Sequence, residues 1–140
     1  MEPFLAAALQ LCAGSDKAAN LARAESLVGE AVKRGASLVV LPEVFAWRGG
    51  AGDDHSGAEA IPGPTSDLCA GWARRHGIHL LAGSMLEAVA GDDKSFNTSL
   101  LFGPTGEALA LYRKAHLFDV DIPGQVRVRE SDARRHGTVV

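Results

Sequence analysis

The chain has 140 residues, 46% of them hydrophobic and 22% charged, with a formal net charge of -3. That length suits one domain able to bury a real core, and the mildly acidic balance gives no ground for a nucleic-acid or membrane-surface partner. The two cysteines, Cys12 and Cys69, form no CxxC pair, which supports neither a disulfide scaffold nor a cysteine-rich metal site. They read as small apolar core residues in a reducing compartment. The apolar stretch near the N-terminus has Glu2 before it, no preceding Lys or Arg, and Gln10 within it. It lacks the features of a signal peptide and is too short to cross a bilayer. A cytoplasmic protein is expected.

Residues 4–12 form an apolar run with little alternation, which predicts a strand buried on both faces. Ser15 and Asp16 can cap a helix whose apolar positions are Leu21, Ala24, Val28, Ala31 and Val32, ended by Gly35 at the C′ position. Residues 38–41 predict a second buried strand, closed by Pro42. Residues 46–63 are polar and glycine-rich and read as a loop. Pro64, Thr65 and Ser66 open a second helix with an apolar stripe of Leu68, Cys69, Trp72 and Ala73. Arg74, Arg75 and His76 fill its last turn and Gly77 ends it. Residues 79–87 predict a third strand. This β-α-β-α-β order argues for an α/β fold whose sheet is parallel up to that point.

The pattern then changes. Residues 90–94 read as a hairpin loop, 96–102 as a strand, Gly103-Pro104-Thr105-Gly106 as a turn, and Ala108–Arg113 as another strand. Strands joined by so short a turn are antiparallel, so the sheet is mixed. A long polar segment, residues 114–136, follows, and residues 137–140 read as the start of a further strand.

Glu43 stands two residues past the predicted second strand. In open α/β sheets ligands bind beyond the carboxyl ends of the strands, where a carboxylate can act as a general base. Read alone, a solvated loop glutamate is the plainer reading. Lys114 follows the strand Ala108–Arg113 and could stabilise an oxyanion; alone, a surface lysine is the plainer reading. Glu130, taken by itself, is a solvated charge. His76 and His79 are separated by a helix end and share no face, which argues against a metal pair. His116 reads as structural. Arg127, Arg129, Arg134 and Arg135 read as a solvated loop face, interrupted by Glu130 and Asp132.

In combination these segments resemble the nitrilase superfamily of carbon–nitrogen hydrolases. Leu38-Val39-Val40-Leu41-Pro42-Glu43 is similar to the segment that bears the family's catalytic glutamate. Ile61-Pro62-Gly63-Pro64-Thr65 resembles the loop before its second helix, and Asn97-Thr98 lies in a strand like the family's. Tyr112-Arg113-Lys114-Ala115-His116-Leu117-Phe118-Asp119 resembles its catalytic-lysine segment. Asp121-Ile122-Pro123-Gly124, followed by Glu130-Ser131, is most similar to the omega-amidase and deaminated-glutathione-amidase branch. The resemblance implies a nitrilase-like four-layer α-β-β-α sandwich, of which residues 1–140 are the N-terminal part. It also implies that Glu43 is a general base and acid, that Lys114 stabilises the oxyanion, and that Glu130 positions them. The substrate would be a small carboxylate-bearing amide, with Arg127 or Arg129 as candidate carboxylate partners. No cofactor and no metal are implied, and the assembly would be a homodimer.

One element of that chemistry has no counterpart here. The resemblance places the nucleophilic cysteine after a strand that would begin near Thr138, while Cys12 and Cys69 fall in a predicted strand and on a helix stripe. The expectation is therefore a partial domain, truncated before its nucleophile, inactive on its own and with apolar faces uncovered. The alternative is a non-catalytic remnant serving as a binding or dimerisation module. A third possibility is an unrelated α/β ligand-binding domain.

Overall fold

The computed structural model describes residues 3–50 and 53–138. Its main sheet has five strands in the order of the chain: β1 (Leu5–Ala8), β2 (Ala36–Val40), β3 (His79–Ala88), β4 (Ser95–Phe102) and β5 (Ala108–Arg113). β1, β2 and β3 are parallel, and β4 and β5 continue antiparallel. Helix α1 (Lys17–Lys33) links β1 to β2. The short α2 (Asp54–Gly57) and the longer α3 (Pro64–His76) link β2 to β3. A separate two-stranded ribbon, β6 (Asp119–Ile122) and β7 (Val126–Arg129), leads into a 3-10 turn at Glu130–Asp132.

Local chemistry fixes the helix ends. The Asp16 side chain accepts the Ala19 N–H at 3.0 Å and caps α1, and Gly35 follows it at φ +92°. Pro64 opens α3, where the Gly63 N–H donates to Ser66 Oγ at 2.8 Å. Gly77 closes it in the left-handed region at φ +62°, which glycine enters without a Cβ penalty.

The two long helices bury Ala24, Val28, Cys69, Trp72 and Ala73 against Val39, Leu80, Ala82, Leu100 and Phe102. Each large aliphatic or aromatic side chain so buried contributes about 1.5–3 kcal/mol. Leu38, Val40, Leu81 and Leu101, on the opposite face of the sheet, are only half-buried. The core is therefore one-sided, and strand alternation decides which residues join it.

Several expectations need correction. The strand at residues 4–12 is short and mostly exposed, with Leu5 50% accessible. Among the described residues it lies at the sheet edge with β2 as its single neighbour, so neither a second strand nor a full cover of helices encloses it there. Cys12 lies beyond that strand and is exposed, not a core residue. Leu68 is also exposed, at 44%, because α3 turns it away from the sheet. The 46–63 loop contains α2, and the polar 114–136 segment contains the β6–β7 ribbon. That ribbon alternates strictly, pairing Val120 with Val128 and Ile122 with Val126 on one face, and Asp121 with Arg127 on the other. Its high charge hides the strand period from a reading by composition. Of the strand expected at 137–140, Gly137 and Thr138 are irregular and the remainder lies outside the described residues.

Candidate active site

Glu43 reaches the site because β2 ends at Val40 and its ladder cannot continue past Leu41. Leu41 N–H still donates to Leu81 O at 2.9 Å, but Pro42 offers no donor to continue the ladder. The chain then passes the middle of β3, at the register irregularity between Ala82 and Met85, where Ser84 receives it. Val44 N–H donates to Ser84 Oγ at 2.9 Å, and Ser84 N–H donates to Pro42 O at 3.4 Å. The crossing is tight against Gly83, whose position leaves no room for a side chain: a Cβ there would lie 2.1 Å from both Leu41 O and Pro42 O. Val44 adopts φ +51°, a strained conformation for a β-branched residue. Its side chain is buried to 3% exposure, so packing and the Ser84 bond offset the strain. The strain sits immediately beside Glu43.

Lys114 is fixed by main-chain bonds on both sides. Its N–H donates to Asn97 O at 2.9 Å, and its carbonyl accepts the Gly137 N–H at 2.9 Å. Glu130 opens the 3-10 turn after β7. Its Oε2 accepts the Phe118 N–H at 2.8 Å.

The structure brings the three side chains together. Lys114 Nζ lies 3.2 Å from Glu43 Oε1 and 2.9 Å from Glu130 Oε2. Asn97 Nδ2 donates to the same Glu43 oxygen at 2.7 Å. An open depression of about 290 Å³ is lined by Glu43, Gly83, Ser84, Asn97, Ser99, Tyr112 and Lys114, with Glu130 behind Lys114 and outside the lining. Partial burial pushes the Glu43 carboxyl up, but hydrogen bonds from Lys114 and Asn97, with the Lys114 charge, outweigh it and leave the pKa below the ordinary carboxylate value. Burial likewise pushes Lys114 down, and Glu130 and Glu43 together reverse it, so the ammonium titrates above an ordinary lysine. At neutral pH the site holds an ionised Glu43 and a protonated Lys114.

Two sequence readings change here. Glu130 is not a solvated charge: its side chain is 15% exposed and both oxygens are occupied. Arg134 is not part of a solvated arginine face either. It is 12% exposed and bridges Glu130 Oε1 and Asp54 Oδ2, each at 2.6 Å. Asn97 and Arg134 carry no role in the sequence reading. The signal for Asn97 was an amide inside a sheet strand, where a buried polar group needs a partner. For Arg134, i,i+4 spacing from Glu130 was visible, but its meaning depends on a 3-10 turn that sequence did not show. Arg127 pairs with Asp121 at 3.6 Å and Arg129 with Asp132 at 3.6 Å, both largely exposed.

Neither cysteine lines the depression. Cys69 is fully buried in α3, and burial pushes its thiol up to about 12. His76 and His79 stay on separate elements, and among the described residues no group of three or more His, Cys, Asp or Glu side chains is placed to hold a metal ion. Among those residues no helix is long and apolar enough to cross a membrane.

The chain is 43% identical over 137 residues to the omega-amidase NIT2 of Danio rerio, covering 98% of this chain and 49% of the relative. It is 43% identical over 124 residues to a deaminated glutathione amidase of Synechocystis, covering 88% of this chain and 46% of that one. It thus spans about half the length of the curated relatives it matches. Among solved structures it superposes on the C. elegans NitFhit protein with a TM-score of 0.83 at 30% identity, covering 94% of this chain and 32% of the other. The model of the carbon-nitrogen hydrolase family matches residues 5–139, and the chain belongs to that family.

Proposed function

We propose that these residues supply the glutamate–lysine–glutamate part of an amidase active site acting on small carboxylate-bearing amides, completed by a cysteine outside the 140 residues. The observation that carries the reading is the convergence of Glu43 and Glu130 on Lys114 Nζ at 3.2 and 2.9 Å, with Asn97 holding the Glu43 oxygen. The names of the omega-amidase and deaminated glutathione amidase relatives support the substrate class.

In this mechanism the ionised Glu43 takes the thiol proton, and the sulfur attacks the amide carbonyl carbon. The carbonyl oxygen becomes an oxyanion beside the Lys114 ammonium, which is already charged and already in place. On collapse the C–N bond breaks. Glu43 returns its proton to the departing nitrogen, which leaves as ammonia, and a thioester remains. Water then gives a proton to Glu43 and attacks the thioester. The C–S bond breaks, the sulfur recovers the proton, and a carboxylic acid is released. A Glu43 pKa below the ordinary value makes its protonated form the better donor and its ionised form the weaker base.

The test is ammonia release from a panel of ω-amides by the protein expressed from its native reading frame. Glu43→Gln and Lys114→Ala should each lower kcat by about 10²–10⁴-fold. Turnover that survives either change at parental rate sinks the reading.

A further inference from the structure

Glu130 uses both of its oxygens. Oε2 accepts from Lys114 Nζ at 2.9 Å and from the Phe118 N–H at 2.8 Å, and Oε1 accepts from Arg134 Nη1 at 2.6 Å. Arg134 in turn uses Nε to reach Asp54 Oδ2 at 2.6 Å. Its guanidinium therefore stands between two carboxylates, one on α2 and one on the 3-10 turn, and sets their separation through a rigid planar fork. All three side chains are largely shielded, at 18% exposure for Asp54, 12% for Arg134 and 15% for Glu130. The Arg134 main chain is anchored as well. Ala133 O accepts the Ser95 N–H at 3.1 Å and the Arg135 N–H donates to Ser95 O at 2.8 Å, so the segment bridges to the start of β4. β4 is also the strand that carries Asn97.

We infer that Arg134 is a positioning residue for the candidate active site: braced by Asp54, it holds Glu130 so that one oxygen is committed to Lys114. The inference rests on the reading of Lys114 and Glu130 as active-site groups. It gives the loop between β2 and α3 a purpose, since α2 then carries Asp54 as the outer end of a chain running Asp54–Arg134–Glu130–Lys114–Glu43. Without Arg134 the carboxylate of Glu130 is held at Oε2 alone, by the Phe118 N–H and by Lys114 itself; its terminal torsion is soft, and the Lys114 ammonium has a less firmly fixed acceptor. A lysine at 134 would keep the charge but, as a compact point donor on a flexible stem, would not span both carboxylates.

The experiment follows the titration of Lys114 by NMR in protein labelled with carbon-13 at the lysine side chains, with Lys114→Arg identifying the resonance. If Arg134 positions Glu130, Arg134→Leu lowers the Lys114 midpoint toward that of the exposed lysines. Arg134→Lys restores part of the fall, and Asp54→Asn lowers it partly. Simple charge removal has the opposite sign, because deleting a nearby cation raises a lysine midpoint. A midpoint in Arg134→Leu that is unchanged or raised, while Glu130→Gln lowers it, overturns the inference and leaves the amidase reading standing. If Glu130→Gln itself does not lower the midpoint, the Lys114–Glu130 contact fails, and both readings fall with it.

Turnover gives a second readout on the protein from its native reading frame. Arg134→Leu should lower kcat about tenfold to a hundredfold with KM little changed, the scale of a small misplacement at a reacting centre. In a Glu130→Gln background the same change should add nothing, since Arg134 acts only through Glu130. Additive losses, or KM rising in step with a lower melting temperature and no recovery in Arg134→Lys, overturn it. Melting is recorded for every variant because Arg134→Leu strands two shielded carboxylates.

Discussion

Replacing Gly83 by alanine tests whether the position of Glu43 depends on backbone packing. A Cβ at 83 would lie 2.1 Å from Leu41 O and from Pro42 O, about 0.9 Å inside the 3.0 Å that real Cβ contacts respect. Both neighbours are main-chain atoms, so no side chain can swing aside. The crossing strand must lift, and the bonds that hold it are few: Leu41 N–H to Leu81 O at 2.9 Å, Val44 N–H to Ser84 Oγ at 2.9 Å, Phe45 N–H to Ser84 O at 3.3 Å and Ser84 N–H to Pro42 O at 3.4 Å. Losing two or three of them at about 1 kcal/mol each gives a destabilisation of about 2–3 kcal/mol. Urea unfolding with a shared m-value measures it. Gly29→Ala and Gly71→Ala are the controls. Each lies inside a long helix with nothing within 4 Å of the added carbon, and each should stabilise by up to about 1 kcal/mol. A Gly83→Ala cost below about 0.5 kcal/mol, the range of an ordinary surface change, would refute the argument that this crossing is held by close backbone contact.

Three further outcomes are expected. Glu87 is 8% exposed and accepts from Arg113 Nε and Nη2 at 2.7 and 2.6 Å and from Thr98 Oγ1 at 2.6 Å. Burial pushes its carboxyl up, but Arg113 and Thr98 hold it below the ordinary 4.5. Its stabilisation is therefore complete above pH 4.5 and is lost as pH falls through the lowered folded value. Glu87→Gln should cost about 2 kcal/mol at pH 7, below the range for a fully buried pair because Arg113 is partly exposed. It should also flatten the acid limb of the stability profile, and an acid limb identical to the parent's would contradict this. In folded protein at pH 8 an aromatic disulfide reagent should modify exposed Cys12 and leave Cys69 unmodified until denaturant is added, as read by peptide mapping, because Cys69 is fully buried with its thiol pushed up to about 12; rapid modification of both positions would show that α3 does not shield Cys69. Asp16→Ala should cost about 1 kcal/mol in urea unfolding through loss of the Ala19 N–H cap, and an unchanged midpoint would show that the cap contributes nothing.

Much of the fold was legible because it is written in local chemistry. Asp16, Gly35, Pro64 and Gly77 mark helix ends that sequence and structure share, and the turn at Gly103 to Gly106 fixes the antiparallel return of β5. What sequence missed depends on partners distant along the chain. β1 reads as buried from its apolar run, yet its exposure is set by its place at the sheet edge. The β6–β7 ribbon alternates charge with valine, so composition alone reads it as loop. In the site, strand-end position singled out Glu43 and Lys114, and Glu130 entered by family resemblance. Asn97, Asp54 and Arg134 did not stand out, because a side chain's partner across 54 or 80 residues of chain leaves no local trace.

The order of the five strands carries a consequence for synthesis. Each strand pairs with the one made just before it, so an emerging chain always finds its partner already outside the ribosome. Closing a loop costs entropy that rises only slowly with its length, and the longest wait falls between β2 and β3, while α2 and α3 are being made. After β3 the remaining pairings are between adjacent strands, β3 with β4 across Ala88 and Ser95 and β4 with β5 across Phe102 and Ala108. Assembly can therefore proceed in one direction, at the pace of translation, without a strand inserted between two others. The side chains named in the candidate site arrive in that same order: Glu43, then Asn97 with β4, Lys114 as β5 closes, and Glu130 after β7.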